Sequence, residues 1–349
     1  MSTFWRDKKV LVTGHTGFKG SWLSLWLRQR GAQVTGIALA PETSDALFCK
    51  LDLARQMEHV ERDIRDHDGL AQAVAEIAPD VVFHLAAQSL VLTSYNTPVE
   101  TWDTNLIGTL NLLNALQLLA HPVTAVIVTT DKVYENPGAQ TAFAETDRLG
   151  GHDPYSASKA ATEILTQSWR HSFGHEDGLR LATARAGNVI GGGDTAANRL
   201  IPDLVASLLN NSSLKIRNPD AVRPWQHVLE PLSGYMRLAE CLSTNYNYAR
   251  AYNFGPAEAN FRSVRDVITC AHDVWPGSWI DCSDQEKKHE SDFLTLTSDL
   301  VKSDLGWQPK WSFDTAVMRT IDWYRQVSQG RSAVEFTLEQ IAEYETDAL

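Results

Sequence analysis

Two short groups of polar residues in the middle of the chain could together carry out acid–base chemistry. The first is Thr130, Asp131 and Lys132, directly after an apolar run, and the second contains Tyr155 and Lys159. The tyrosine and the lysine are four positions apart, so they share one face if the segment is helical. A nearby ammonium favours the phenolate and lowers the pKa of a phenol. The pair therefore predicts Tyr155 as a general base and Lys159 as its electrostatic partner.

The same spacing has an alternative interpretation, a surface tyrosine that packs on the stem of a lysine along an exposed helix. The chain contains 9 tyrosines, enough for one such pair to arise by chance. The elements around the pair therefore have to decide between the two interpretations.

The N-terminal segment has the pattern of a dinucleotide-binding unit. An apolar run at 8–13, typical of a strand buried on both faces, precedes a glycine-rich turn and a helical pattern at 21–28. Glycines allow the backbone to approach a pyrophosphate, which binds at the positive N-terminus of a helix. A glycine-rich turn without a ligand is the alternative. The predicted contacts in this turn are Gly14, His15, Thr16, Gly17, Phe18, Lys19 and Gly20.

The end of the second predicted strand, at 34–39, normally distinguishes NAD from NADP through an acid or an arginine. Here Ala38, Leu39 and Ala40 follow one another, and the nearest acid is Glu42, beyond a proline. This position therefore leaves both cofactors open.

Two further segments carry candidate contacts. Asp63 lies in a polar turn after a short strand, where it could reach an adenine or belong to the start of a helix at 66–77. The strand at 80–88 ends in small residues, as required where the backbone approaches a cofactor. The helix that starts at Asn105 is apolar around most of its circumference. Such a helix is either buried in the domain or part of a subunit interface.

Strands and helices alternate through residues 1–187, which predicts an α/β fold with a doubly wound parallel sheet and ligands at the carboxyl ends of its strands. Thr130, Asp131 and Lys132 follow one of those ends. We expect residues 1–187 to form the dinucleotide-binding domain, with a strand near 252–254 returning to it.

After Arg185 the pattern changes. Residues 186–194 are polar and glycine-rich, which predicts a flexible segment outside the core, and a helix follows at 201–210. Arg199, Arg223 and His227 come from the loops of this part, and cations in flexible loops suit capture of a diphosphate. Solvated surface arginines are the alternative. We expect residues 188–349 to form mainly a smaller substrate-binding domain that ends in a peripheral helix or a frayed tail.

Composition limits the classes of partner. The 349 residues carry a formal net charge of -12, which argues against nucleic acid as the general partner. There is no apolar run long enough to span a membrane and no signal-peptide pattern at the N-terminus. The four cysteines lack metal-ligand spacing, so we expect reduced thiols and neither disulfides nor a metal site. The expected setting is the cytoplasm.

With these residues placed, the chain resembles the extended short-chain dehydrogenase/reductase family throughout its length. The markers are Thr-Gly-x-x-Gly-x-x-Gly at 13–20, Asp63 with Ile64, Leu-Ala-Ala at 85–87, Asn105, and Tyr155 with Lys159. Within that family it looks most like the CDP-glucose 4,6-dehydratases. The blocks that carry this closer resemblance are 14–23, 130–132, 185–194 and 222–232. Sibling dTDP-glucose dehydratases have Thr-Asp-Glu where this chain has Thr130, Asp131 and Lys132.

The resemblance implies an NAD-dependent dehydration, with the NDP-sugar 4-epimerases as the alternative. Tyr155 would remove the proton of the 4-hydroxyl while the C4 hydride passes to a tightly bound, recycled NAD. Thr130 would hold the 4-oxygen, and water would then leave across C5 and C6. Asp131 would be the acid and Lys132 the base of this elimination, unless the two share one proton as a coupled pair. The product would be a 4-keto-6-deoxy sugar nucleotide, a step towards the deoxysugars of surface polysaccharides.

The resemblance also implies ligand contacts and an assembly. The subunits would pair through the helices near 105–120 and 155–172 as a homodimer or a dimer of dimers. Further cofactor contacts would be Asp63, Ile64, Leu85, Ala86, Ala87, Gln88, Asn105, Thr129, Tyr155 and Lys159. Substrate contacts would be Gln88, Arg185, Asn188, Arg199, Arg223 and His227.

Overall fold

The fold is built on a twisted sheet of seven parallel strands. A computed structural model describes residues 3–136, 138, 142–257, 260–283 and 294–347. The first strands are β1 (Lys9–Thr13), β2 (Gln33–Ala38), β3 (Glu58–Glu61), β4 (Val81–His84), β5 (Val123–Val128) and β6 (Leu179–Ala186). They are completed by β11 (Ala251–Phe254), which pairs with β6 at one edge. The order across the sheet is β11-β6-β5-β4-β1-β2-β3.

The remaining strands are short and lie outside this sheet. They are β7 (Val189–Ile190), β8 (Leu214–Ile216), β9 (Val222–Pro224), β10 (Gln226–His227), β12 (Phe261–Ser263) and β13 (Trp279–Asp281). They form three two-stranded pairs, β10 with β7, β12 with β9 and β13 with β8.

Helices alternate with the strands of the parallel sheet, as in a doubly wound fold. The first seven are α1 (Phe18–Gln29), α2 (Leu47–Lys50), α3 (His67–Ile77), α4 (Val91–Asn96), α5 (Pro98–Trp102), α6 (Gly108–Gln117) and α7 (Pro154–Phe173). They are followed by α8 (Leu200–Leu209), α9 (Leu229–Thr244), α10 (Val264–Val274), α11 (Asp299–Leu305), α12 (Phe313–Ser328) and α13 (Ala333–Thr346).

Alternation along the strands explains the two helical layers. In β1, Val10 and Val12 point into one apolar core, which contains residues of α1 and α9. Leu11 points into the other, which contains residues of α3 and α6. Because both faces are covered, the three consecutive residues Val10, Leu11 and Val12 are all apolar. This architecture confirms the predicted doubly wound parallel sheet.

A third apolar core belongs to the part of the chain beyond β6. It is formed by residues of α8, α10 and α12 together with β8. The glycine-rich segment at 186–194 packs beside it, so the prediction that this segment lies outside the core is wrong. Gly191, Gly192 and Gly193 are buried, and a Cβ on Gly192 would lie 2.1 Å from the ring of Trp323. Gly192 is needed because its backbone runs directly against this indole, and Gly193 because its φ is 85° and a Cβ there would lie 2.5 Å from Leu47.

The C-terminal region forms a docked helix, and the alternative of a frayed tail is wrong for the described residues. Tyr344 is 2% exposed, and its hydroxyl donates to Glu230 Oε2 at 2.7 Å. Trp26 of α1 donates from its indole to Glu345. The helix α13 therefore covers α1 and the start of α9.

Several apolar side chains remain exposed on the outer surface of α4 to α7. Tyr95, Val99, Leu118 and Ile164 are 61%, 73%, 72% and 57% exposed. α4, α5 and α6 all pack against α7, so these helices form one side of the molecule. No helix in the described ranges combines the length and the apolarity that crossing a bilayer requires.

Candidate active site

The glycine turn after β1 lies against the end of β4. Gly14 has a φ of 77°, and a Cβ there would lie 2.6 Å from the backbone nitrogen of Ala86. A Cβ on Gly20 would lie 2.2 Å from the carbonyl oxygen of Gly14. Both positions therefore require glycine. Gly14 needs it for its positive φ and its close approach to Ala86, and Gly20 needs it because the turn brings the carbonyl oxygen of Gly14 against it.

The N-terminus of α1 is open to an external anion. Its N-cap is Gly17, no side chain caps it, and its first turn contains no acidic residue. The unpaired N–H groups and the positive end of the helix dipole therefore face outward without an internal counterion. This arrangement fits the pyrophosphate of a dinucleotide.

His15, predicted as a cofactor contact, directs its side chain below the turn. The ring is buried, its Nε2 lies 2.7 Å from Nδ1 of His59, and a Cβ on Gly36 would lie 2.2 Å from it. Burial, followed by the charge of His59, lowers the pKa of His15 to about 4. Only the backbone of His15 is therefore placed to face a ligand in this turn.

A buried polar network supports the loop that follows β4. Asn105 Oδ1 accepts from the backbone N–H of Gln88 at 2.9 Å, and its Nδ2 donates to Gln88 O and to Ser158 Oγ. The side chain of Gln88 is bonded to Leu90 and Thr101. Asn105 is 1% exposed, so its amide holds the loop in place and does not face the cleft.

The same network continues below β1 and β4. Thr109 donates to Asn105 O, so it can accept from Nε2–H of His84, and Nδ1 of His84 then accepts from Thr13. Burial lowers the pKa of His84 to about 3. This neutral histidine joins two strands and a helix directly beneath Leu85 and Ala86.

Asp63 and Ile64 lie after β3. Asp63 accepts three hydrogen bonds from the guanidinium of Arg65, which lowers the pKa of the carboxyl group. The side chain of Ile64 is buried against Gly108. An adenine at this position would compete with Arg65 for the carboxylate, and Ile64 could contribute only its backbone.

The polar triplet lies at the end of β5. Thr130 is the N-cap of a single helical turn at Asp131–Val133, and its Oγ1 donates to Asp131 Oδ1 at 3.0 Å. Asp131 is 2% exposed, and among the described residues its Oδ2 has no hydrogen-bond partner. A Cβ on Gly187 would lie 2.7 Å from that oxygen. A buried carboxylate oxygen without a partner indicates a place where a ligand group can bind.

Tyr155 and Lys159 are brought to this triplet by α7. The helix begins at Pro154, and Asp153 caps it by accepting from Ser156 N at 2.9 Å. Tyr155 is 8% exposed, and the Thr130 hydroxyl and the Asp131 charge both act on its phenol. The structure therefore places both polar groups of the sequence at one point, at the carboxyl edge of the sheet.

The predicted direction of the Tyr155 pKa is wrong. Burial raises the pKa of Tyr155 to about 12, since the effect of Thr130, which lowers it, is smaller. Lys159 donates from Nζ to Val128 O at 3.1 Å, and burial lowers its own pKa to about 8. The burial that excludes water from this site thus outweighs the stabilisation of the phenolate.

Two further cations face the triplet. Burial lowers the pKa of Lys19 to about 8, and the charges of Arg199 and Asp131 also act on it. Arg199 pairs with Asp194 at 3.0 Å and donates to Ser89 Oγ at 3.4 Å. Arg199 therefore links the loop after β4 to the loop after β7. We call the region between these two loops and the triplet the cleft.

Two of the predicted substrate contacts point away from the surface. Arg185 is 3% exposed and pairs with Glu163 at 2.7 Å, because its position on β6 directs it at α7. His227 is fully buried between Trp22 and Trp311, and burial lowers its pKa to about 3. These placements correct the prediction that both side chains contact the substrate.

The other two candidates lie on neighbouring elements. Asn188 is half-buried between β6 and β7, and its carbonyl oxygen accepts from Gln226 N at 3.3 Å. Arg223 is 8% exposed on β9 and donates to Val222 O. Both residues come after β6 in the chain, outside the seven-stranded sheet.

Glu163 is a residue of this region that the sequence reasoning missed. It follows Lys159 by four positions and is 3% exposed. The charge of Arg185 and the hydroxyls of Thr129 and Thr183 lower its pKa against the effect of burial. The signal was present, because Tyr155, Lys159 and Glu163 continue one helical face at intervals of four.

Comparison with known proteins agrees with this geometry. The sequence pattern of the GDP-mannose 4,6 dehydratase family matches residues 11–320. A CDP-glucose 4,6-dehydratase of Salmonella typhimurium is 41% identical, over 98% of this chain and 97% of the relative. A dTDP-glucose 4,6-dehydratase of Xanthomonas campestris is 28% identical, over 90% of this chain and 92% of the relative.

Solved structures share the fold. A dTDP-glucose 4,6-dehydratase of Bacillus anthracis in complex with NAD superposes with a TM-score of 0.76 at 22% identity, over 92% of this chain and 97% of that one. A UDP-glucose 4-epimerase of Thermus thermophilus in complex with NAD has a TM-score of 0.76 at 25% identity, over 90% and 98% of the two chains.

Proposed function

The chain belongs to the GDP-mannose 4,6 dehydratase family, and on that premise we propose that it is an NAD-dependent CDP-glucose 4,6-dehydratase, a lyase. The proposed product is CDP-4-keto-6-deoxyglucose, a precursor of the deoxysugars of surface polysaccharides. The choice of CDP-glucose is supported by the relative of that name, which is 41% identical over nearly the whole chain.

The observation that carries the proposal is the environment of Asp131. Its buried Oδ2, without a partner among the described residues, lies beside Tyr155 and within reach of the charge of Lys19. An oxidation alone requires only a tyrosine, a lysine and a hydroxyl. The additional carboxylate supports an elimination that follows the oxidation, because a departing hydroxyl needs an acid.

The residues of this chain divide the proposed reaction between them. Tyr155 accepts the proton of the 4-hydroxyl, and Thr130 holds the 4-oxygen. The resulting C4 ketone acidifies the C5 hydrogen because the enolate can carry the charge. Lys132 then removes the C5 proton while Asp131 donates a proton to the departing 6-hydroxyl, so that one water leaves.

When bound, NAD would accept the C4 hydride and give it back to C6, and the protonated Lys132 would return a proton to C5, which completes the 4-keto-6-deoxy product. The turn at 14–20 and the loop at 85–88 would hold NAD, since both approach each other at Gly14 and Ala86. The open N-terminus of α1 fits its pyrophosphate. Lys159 would bind the ribose of the nicotinamide half.

The diphosphate of the substrate requires cations outside the cofactor site. Arg199 links the two loops that border the cleft and is 37% exposed, so its guanidinium is accessible to a phosphate. Arg223 and Asn188 lie on the same side and are retained in the proposal as further contacts. Arg185 and His227 are not, because both are buried away from the cleft.

The test uses the purified full-length chain. Incubation with CDP-, dTDP-, UDP- and GDP-glucose should give a 4-keto product from the CDP sugar in preference to the others. Substrate deuterated at C4 then separates the reaction types, because a dehydratase moves the label to C6 and a 4-epimerase returns it to C4. Label at C4, or no 4-keto product from any of the four sugars, would contradict the proposal.

We further propose that a second copy of the chain covers the exposed apolar surface of α4 to α7, giving a homodimer or a dimer of dimers. Val99 and Ile164 lie on this surface and are 73% and 57% exposed. Val99→Lys should reduce the mass measured by light scattering to that of one chain. Leu209→Lys is the matched control, because Leu209 is 53% exposed on α8, away from this surface. An unchanged mass for both variants would contradict the interface.

The proposed setting is the cytoplasm. None of the four cysteines is paired with another, as in proteins of reducing compartments.

A further inference from the structure

We propose that the buried Glu163–Arg185 ion pair, extended by Tyr134, is a positioning device that holds Thr130, Asp131 and Lys132 in place from both ends. The inference rests on the dehydratase function proposed above and concerns residues to which that proposal gives no role. None of these three residues contacts the reacting atoms, so they are positioning residues and not catalytic ones.

The first end of the triplet is fixed through Glu163. Its Oε1 accepts from Thr129 Oγ1 at 2.5 Å, and Thr129 directly precedes Thr130. Its Oε2 accepts from Thr183 at 2.8 Å and from Arg185 at 2.7 Å, both on β6. One carboxylate on α7 is therefore bonded to the ends of two neighbouring strands.

The second end is fixed through Tyr134, which follows the helical turn at Asp131–Val133. Arg185 Nη1 donates to the hydroxyl of Tyr134 at 2.7 Å, and that hydroxyl donates to Asn253 Oδ1 at 2.7 Å. The ring of Tyr134 stacks on Phe143, with 4.9 Å between the ring centroids. Tyr134 is 2% exposed, so these partners leave its side chain little room to move.

The bonds form a continuous path around the triplet. It runs from Thr129 through Glu163 and Arg185 to Tyr134, and every member is buried. Hydrogen bonds are directional, and in a site shielded from water there is no competing solvent partner. The path therefore fixes both ends of the four-residue segment 130–133. In the proposed reaction, the polar groups of this segment must all be placed against the same sugar.

A buried ion pair of this kind adds little net stability compared with apolar residues of the same size. Its effect on geometry is different, because a displacement of a reacting group by about 1 Å can reduce a rate by about a hundredfold. Loss of the Glu163 bonds and loss of the Tyr134 bonds should have different effects, and we call these two sets of bonds the two arms of the path. Glu163 holds α7 as well as Thr129, whereas Tyr134 holds only the far side, next to Asp131 and Lys132.

The central test is Tyr134→Phe, which removes one hydroxyl and keeps the ring. The expected result is a fall in kcat of about 10- to 100-fold with little change in KM, together with slower solvent-deuterium exchange at C5. Reduced nicotinamide should accumulate during a single turnover, because oxidation at C4 proceeds while elimination is slowed. Affinity for NAD, measured by calorimetry, should not change.

The matched control is Tyr252→Phe. Tyr252 is also a buried tyrosine with a bonded hydroxyl, which donates to Asp304 at 3.0 Å, but it lies on β11 away from the path. Tyr252 is adjacent to Asn253, but successive side chains of a strand point to opposite faces, so its ring packs in the apolar core and not against Tyr134. This variant should lose a comparable amount of thermal stability and keep its turnover and C5 exchange. If the two variants lose activity in parallel with their melting temperatures, Tyr134 acts only through stability and the inference is wrong.

Glu163→Gln separates the two arms. It can keep a hydrogen bond to Thr129 but loses the charge opposite Arg185. Since the charge of Glu163 raises the pKa of Lys159 against burial, the variant should shift the pH profile of kcat to lower pH as well as slow elimination. A profile that stays at the wild-type position would contradict the predicted link to Lys159.

Failure of the proposed function would be recognised separately. If the wild-type chain makes no 4-keto product from any of the four sugars, the proposed reaction is wrong, whatever the variants do. The positioning claim is then decided by crystal structures of the wild type and Tyr134→Phe. A shift of Asp131 and Lys132 by about 0.5 Å or more supports it, and superposable segments overturn it.

Discussion

Lys159 Nζ and the carbonyl oxygen of Val128 lie 3.1 Å apart in a hydrogen bond that ties α7 to the end of β5. The ammonium of Lys159 is engaged by this backbone carbonyl. Burial raises the pKa of the Tyr155 phenol to about 12, so the proposed general base is protonated at neutral pH.

This protonation state can be measured by ultraviolet difference titration of the wild type against Tyr155→Phe. We expect no phenolate from Tyr155 below its ordinary pKa of about 10, since the folded-state pKa lies above that value. Saturation with NAD should move the transition to lower pH, because the nicotinamide ring is positively charged. A phenolate that titrates near neutral pH without NAD would show that Lys159 outweighs burial.

The role of Lys132 is tested by Lys132→Ala. We expect unchanged affinity for NAD, loss of solvent-deuterium exchange at C5, and a fall in product formation of about 10²- to 10⁴-fold, the usual contribution of a general base. Lys302→Ala is the control, because Lys302 is an exposed lysine of α11. Retained deuterium uptake at C5 in the Lys132 variant would assign the C5 proton to another group.

Gly14→Ala tests the close approach between the glycine turn and β4. Gly306→Ala is the control, because Gly306 has a similar φ of 65° but open space around its Cα. The control should lose roughly 1 kcal/mol of stability from backbone conformation alone. Gly14→Ala should lose more, and it should bind NAD at least tenfold more weakly, since its Cβ would meet the backbone of Ala86 at 2.6 Å.

Equal losses of stability in urea unfolding, together with equal affinity for NAD, would show that the turn tolerates a side chain.

Stability should fall as the pH is lowered from about 6.5 towards about 4. Burial lowers the pKa values of His15, His84 and His227 to about 4, 3 and 3 in the folded chain. Unfolding therefore takes up protons in this window, and each histidine contributes a slope of about 1.4 kcal/mol per pH unit. The free energy of unfolding, measured with urea at several pH values, should show this slope.

His84→Gln should reduce the slope of the free energy of unfolding against pH by the contribution of one histidine, about 1.4 kcal/mol per pH unit. His171→Gln should leave it unchanged, because His171 is exposed on α7. A slope that is the same in the wild type and in His84→Gln would show that other groups cause the loss of stability.

Much of the fold could be predicted from local pattern. The glycine turn after β1 and the helical spacing of Tyr155 and Lys159 are set by short-range sequence, and the alternation of strands and helices predicts the parallel sheet. Conformation at Gly14 and the shared face on α7 follow from covalent geometry and helix periodicity, which one segment already contains.

Environment could not be predicted in the same way. The pKa of Tyr155 depends on how much water the folded site excludes, and that depends on elements far away in sequence. Arg185 was expected at the substrate from the family resemblance, but alternation along β6 directs it at Glu163. The glycines at 191–193 were interpreted as part of a flexible segment because the side chains that they pack against, such as Trp323 at Gly192, lie far away in sequence.

The docking of α13 on α1 has a consequence for synthesis of the protein. Trp26 is made early, yet its indole bonds to Glu345, 319 positions later. The same late helix supplies the hydroxyl that bonds to the buried carboxylate of Glu230. Since a chain emerges from the ribosome from its N-terminus at roughly 5–20 residues per second, this surface of α1 stays uncovered for many seconds. During that interval the nascent chain presents a tryptophan-rich helix that chaperones can bind.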